Sequence, residues 1–266
     1  MTRQPMSAGK RMALTAALLG AIGVAAFAAS SPSATTRQAI FVSNGGGYVT
    51  MYGLGSSGDV EPIATIDGAA TKLDGPVSIA VDSSGKIYVL NEGEGARNSA
   101  GVVVFAAGSK GNVSPIANIS GVDTAIRSPK SIAVDSVGNI YVTNEEGFPP
   151  GPNIQRPGGV TVYSAGSNGD AKPIATIRGA DVNMNLCCPC ADTCCGNDTG
   201  IQNPYGIAVD ARSNIFVTTS SGCPRSQSEN IRMFPAGSNG NVKASTVITG
   251  PNTGLSGPNE IGRAHV

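Results

Sequence analysis

The most reactive side chains in the sequence belong to six cysteines. Five of them, Cys187, Cys188, Cys190, Cys194 and Cys195, crowd into one short stretch, and Cys223 follows downstream. Three chemistries are open to the set. An even cysteine count in an exported chain favours disulfides, with Cys223 stapling the stretch to a neighbouring loop; adjacent cysteines are poorly placed to bond each other, so the pairing stays open. The Cys187-x-x-Cys190 spacing also suits a thiolate site for Zn or Cu(I), and a redox pair is a third reading.

A second constellation consists of hard oxygen donors. Asn44, Asn91 and Asn144 recur at equivalent places, and Glu92 and Glu145 follow two of them. A ring of carboxylates and amides can form a ligand-binding rim or hold Ca²⁺ or another hard cation. Against this stands a plain structural role, because Asn at a strand end commonly caps a turn through its own side chain. Asp82, Asp135 and Asp210 lead into short turns and read as structural. Nothing resembles a phosphate-binding strand-loop-helix.

The elements that position these groups come from a repeat. Residues 128–144 (SPKSIAVDSVGNIYVTN) return at 75–91 (GPVSIAVDSSGKIYVLN) and 203–219 (NPYGIAVDARSNIFVTT), and the second half appears again at 39–44 (AIFVSN). Each unit reads as two short strands, Ile132 to Asp135 and Asn139 to Thr143 in the first example, around a tight turn. A second half follows: 48–66, 102–119, 160–177 and 231–248 each give a strand ending in an aromatic (Tyr52, Phe105, Tyr163, Phe234), a Gly-Ser-x-Gly-Asn/Asp turn and a last strand. Four strands per unit in a meander describe a β-propeller blade. The class is all-β, with three complete four-stranded antiparallel blades plus three strands of another. Pro62, Pro115 and Pro173 are expected at the start of the outermost strand, where a missing N–H is tolerated.

In such a meander, the first-to-second and third-to-fourth turns share one face, and the remaining connections share the other. The first set is short and uniform. The second set varies: 91–101, 144–159, 219–230 and a cysteine-rich insertion at 180–203. By this parity all six thiols belong to one face, and variable loops on a rigid scaffold are where binding usually resides.

The repeats resemble the NHL-type units of exported bacterial six-bladed propellers, and Tyr141-Val142-Thr143-Asn144 spells their YVTN motif. The resemblance covers residues 39–260. It implies a six-bladed ring and is almost silent about function, since propellers carry many unrelated sites. It also brings in a rival to simple binding: gluconolactonase-like propellers hold a divalent metal, Ca or Zn here, in the central channel and hydrolyse lactones. Such catalysis needs a lopsided set of channel residues with one base among the ligands, whereas this sequence repeats near-identical residues from blade to blade. No cofactor is expected.

Both termini read as something other than blade. Residues 1–29 have the parts of a secretory signal: Arg3, Lys10 and Arg11, an apolar run, and Ala26-Phe27-Ala28 as a cleavage site. An uncleaved anchor is the competing reading. Residues 30–38 form a linker. Residues 261–266 resemble the translation of a sequencing adapter (ATC GGA AGA GCA CAC GTC), which makes the only histidine, His265, foreign and the parent chain longer, its C-terminus expected to supply the strand missing from the first blade. Terminal blade faces would then expose apolar surface and lower solubility.

The 18 basic and 18 acidic residues balance. Setting aside Arg3, Lys10, Arg11, Arg263 and Glu260 leaves 14 against 17. An acidic remainder argues against nucleic acid or anionic membrane as partner. The expectation is an exported, non-catalytic propeller, periplasmic, cell-surface or secreted, that binds a protein, glycan or small molecule on its variable face.

Overall fold

The computed structural model describes residues 39–93, 100–145, 154–155, 158–179, 182–183, 199–201, 203–219 and 229–262. Blade 1 has three strands: β1 (Ala39–Asn44), β2 (Tyr48–Gly53) and β3 (Ala64–Ile66). Blade 2 runs β4 (Pro76–Val81), β5 (Ile87–Asn91), β6 (Gly101–Phe105) and β7 (Ala117–Ser120). Blade 3 uses β8 (Pro129–Val134), β9 (Ile140–Asn144), β11 (Gly159–Tyr163) and β12 (Ala175–Arg178). Blade 4 uses β14 (Pro204–Val209), β15 (Ile215–Thr219), β16 (Asn230–Phe234) and β17 (Thr246–Thr249). Two short strands, β10 (Ile154–Gln155) and β13 (Val182–Asn183), pair outside the blades. Within each blade every strand pairing is antiparallel between successive strands, as the meander requires, and β4, β8 and β14 pack side by side as the innermost strands.

The hydrophobic cores lie between blades. β5 shows why: Ile87 and Val89 point toward blade 1 and join Val49, Met51, Ile66, Val103 and Phe105, while Tyr88 and Leu90 point the other way into a cluster with Ile119, Ile132, Val142 and Tyr163. A third cluster between blades 3 and 4 gathers Tyr141, Val160, Ile177, Val217 and Phe234. A strand buried on both faces has no polar alternation to show, which is why Ile-Tyr-Val-Leu and Val-Val-Val-Phe read as continuous apolar runs.

The innermost strands begin earlier than the sequence suggests. Pro129 pairs with Asn144, and the register then shifts before Ile132 pairs with Val142. The shift is a bulge, stabilised by the Thr143 hydroxyl: it accepts the Ser131 N–H at 2.9 Å and donates to the Tyr205 carbonyl of blade 4 at 2.6 Å. Thr218 takes the Gly206 N–H in the same way at 2.8 Å. The outermost strands start two residues after Pro62, Pro115 and Pro173, and Ile63, Ile116 and Ile174 already donate to the neighbouring strand.

The turns of one face are closed by the three aspartates. One oxygen of Asp135 accepts the N–H groups of Val137, Gly138 and Asn139, and the other accepts Asn139 Nδ2 and the Tyr141 hydroxyl. Asp82 and Asp210 repeat the pattern, although Phe216 replaces the tyrosine in blade 4. The structural reading of these residues is borne out.

Candidate functional site

The opposite end of each blade is a single row of paired residues. Pro76, Asn91, Gly101 and Ser120 line up across blade 2; Pro129, Asn144, Gly159 and Arg178 across blade 3; Pro204, Thr219, Asn230 and Thr249 across blade 4. All the connections of variable length leave from these rows. The insertion is one of them: where the other outer connections place Thr three residues after Gly (Gly68/Thr71, Gly121/Thr124, Gly250/Thr253), this one runs from Gly179 to Thr199. The β10–β13 pairing ties the connection after Asn144 to this insertion, with Ile154 opposite Asn183. Cys187, Cys188, Cys190, Cys194, Cys195 and Cys223 lie outside the described residues, as do residues 1–38 of the proposed leader and linker.

The asparagine amides turn into the blades. Asn144 is 4% exposed; its Oδ1 accepts the Arg127 N–H at 2.9 Å and its Nδ2 donates to Thr161 Oγ1 at 3.0 Å. Thr161 in turn donates its hydroxyl to the Tyr163 phenol oxygen, whose one proton goes to the Thr124 carbonyl. A buried chain of hydrogen bonds thus fastens the Thr124–Arg127 stretch to the sheet. Asn44 repeats the contact with Thr50 at 3.1 Å. In blade 2 the partners are Val103 and Phe105, which offer no hydroxyl, and Asn91 instead donates to the Lys72 carbonyl at 2.8 Å while its buried Oδ1 has no partner among the described residues.

The carboxylates meet a residue that sequence reasoning passed over. Lys130 Nζ, at the start of β8, lies 3.0 Å from Glu145 and 4.0 Å from Glu92 of the preceding blade. Burial draws the Lys130 pKa down, but the hydrogen bond and charge of Glu145, with Glu92 beyond it, outweigh that and hold it above the ordinary lysine value. The signal was present in the repeat: the position after its proline is Val77, Lys130, Tyr205 and Asn259, the one place in an otherwise uniform segment where a cation falls between two Asn-Glu pairs. Beside it, Ser131 Oγ donates to Glu260 at 3.3 Å, across the space left by Gly206, where a Cβ would stand 2.7 Å from the Glu260 Cα.

The five rim residues are therefore brought to one end of the blades. Asn91 and Asn144 hold the outer connections at Lys72 and Arg127, Asn44 binds Thr50 across its strand pair, and Glu92 and Glu145 share an ammonium. Among the described residues no three of His, Cys, Asp and Glu come close enough to hold a metal ion. Among the described residues the two rim carboxylates are committed to Lys130.

Comparison with known proteins agrees with the geometry. Residues 121–143, which span the entry to blade 3 and its first two strands, match the family described as a beta-propeller repeat. These sheets are propeller blades. No curated protein matches the chain.

Proposed function

We propose that the protein is an exported, non-catalytic propeller that presents its variable connections to a protein, glycan or small molecule, without a bound cofactor. The observation that carries this reading is the contrast between the two ends of each blade. One end is closed by near-identical Asp-braced turns; the other releases every connection of variable length, and two of those are joined by the β10–β13 ribbon. The repeated side chains are consumed in bracing the fold, so recognition falls to what differs between blades. The finer family reading, an NHL-like six-bladed parent, rests on the YVTN-type motifs. The six cysteines on this reading cross-link the insertion to the 219–230 connection; a mass measured with and without reductant gives six free thiols if that is wrong.

The test is retention on glycan and peptide arrays by the parent chain and by a chain whose residues 146–157 and 182–198 are replaced with short Gly-Ser turns. Retention by the parent and its loss on trimming is the expected result. Stoichiometric Ca²⁺ or Zn²⁺ in the purified protein, together with lactone hydrolysis, would overturn the reading in favour of a hydrolase.

A further inference from the structure

One inner position changes from blade to blade while the backbone that presents it does not. The register of the innermost strand shifts between Pro76 and Ser78, between Pro129 and Ile132, and between Pro204 and Ile207, so Val77, Lys130 and Tyr205 each fall within a bulge. A bulge of this kind re-aims a side chain. Around it the repeat is nearly invariant, with Pro before it and Ile-Ala-Val-Asp beginning two residues on. Lys130 and Tyr205 are partly exposed between buried neighbours, Pro129 and Ser131 in one case and Pro204 and Gly206 in the other.

These bulges lie at the variable face. Glu92 and Glu145 are the first residues of two variable connections, and the Lys130 ammonium stands 3.0 Å from Glu145 and 4.0 Å from Glu92. The same register sets Tyr205 in blade 4 where Lys130 stands in blade 3, and its phenol is near enough to bear on the Lys130 charge. β4 and β14 flank β8 on its two sides, so the whole group lies within three consecutive blades.

The charges select the ligand. Lys130 spends an N–H on Glu145, Glu92 stands beyond hydrogen-bond length, and each carboxylate keeps lone pairs besides the one that faces the ammonium. A cationic group entering here competes with Lys130, and an anionic group competes with Glu92 and Glu145. A hydroxyl competes with neither: it donates to a carboxylate and accepts from the ammonium, in bonds strengthened by the charge. Neighbouring hydroxyls on one ring do both at once, while the apolar C–H face of that ring packs on an aromatic side chain. We infer that the inner rim of the variable face at Lys130, Glu92, Glu145 and Tyr205 is a subsite for a neutral pyranose sugar, its hydroxyls on the three charged groups and its apolar face on Tyr205. The inference rests on the reading of this face as the binding face, and names the sugar as what it takes.

The test places the full chain on an array of neutral oligosaccharides (glucans, mannans, galactans and xylans), beside arrays of charged glycans and of peptides. Retention on neutral glycans is expected, with little change between about 50 and about 500 mM NaCl, because the ligand carries no charge to screen. Lys130→Met and Tyr205→Leu should each weaken it by about tenfold or more, the scale of a lost charge-assisted hydrogen bond or aromatic contact. Tyr205→Phe keeps the ring and should weaken it less than Tyr205→Leu. Both positions are partly exposed, so the variants should melt close to the unaltered chain; if Lys130→Met melts early, the two Tyr205 variants carry the comparison. Arg212→Glu, on the opposite face, should bind like the unaltered chain. Inhibition by free methyl glycosides marks a single sugar, and inhibition by oligosaccharides alone marks a glycan chain; both support the inference. Retention on peptides or charged glycans alone would overturn it and leave the binding reading standing. So would neutral-glycan retention that is lost on trimming 146–157 and 182–198 but unchanged in Lys130→Met and Tyr205→Leu. A chain retained on none of the arrays overturns both readings.

Discussion

Asp135 gathers five hydrogen bonds within 3.0 Å onto one carboxylate, and that concentration governs its titration. Burial alone would raise its pKa, but the Asn139 side chain and amide, the Tyr141 hydroxyl and the Val137 amide together hold it below the ordinary aspartate value. The same carboxylate, after burial, pushes Tyr141 up to about 12. Because the folded pKa is the lower one, the ionised group stabilises the fold above the unfolded value near pH 4 and loses that contribution as pH falls through the folded value. The melting temperature of the parent should therefore drop more steeply below about pH 4 than that of Asp135→Asn, which is already weakened at neutral pH. Asn144 and Asn91 offer a second comparison within one molecule. Asn144→Ala removes an amide bound on both sides and should cost about 2–3 kcal/mol in chemical denaturation, whereas Asn91→Ala, with an acceptor already unpaired, should cost about 1 kcal/mol.

At the scale of elements, much was legible because the chemistry of each turn is local. Asp135 to Asn139 and the Gly-Ser-x-Gly-Asn/Asp turns announce themselves within five residues, and their recurrence fixes four strands per blade. The bulge at Ser131 was not legible: it depends on Thr143, a partner twelve residues away across a strand pair. Nor was the outer connection, Thr-Lys-Leu, Thr-Ala-Ile, Thr-Gly-Ile and Thr-Gly-Leu, whose only constants are Thr and a branched apolar residue. Its left-handed residue is Lys72 or Ala125 in two copies, where a glycine search finds nothing. That connection also narrows the insertion from 180–203 to the residues between Asp181 and Thr199, since Thr199, Gly200 and Ile201 belong to the repeat. Deleting 182–198 restores the spacing of the other three connections, so in reducing buffer, where no cross-link to the 219–230 connection contributes, the melting temperature should shift by only a few degrees, equivalent to about 1 kcal/mol or less. A collapse of cooperative unfolding would show that the insertion is part of the fold.

At the scale of the molecule, a propeller separates what is repeated from what is not. Its cores lie between blades, so every blade needs similar inner and outer surfaces, and regularity along the chain follows from that requirement. The rim residues looked like candidates for chemistry because they recur, and the contacts of Asn44 and Asn144 tie that recurrence to the sheets. Lys130, which does not recur, is where the inner row changes character. The most direct measurement compares two altered chains on the same glycan and peptide arrays: one with 146–157 and 182–198 trimmed, the other with Val137→Lys and Arg212→Glu on the uniform-turn face. Loss of retention by the trimmed chain alone is the expected result, and retention that survives trimming but fails with the turn-face substitutions would contradict the division of labour between the two faces.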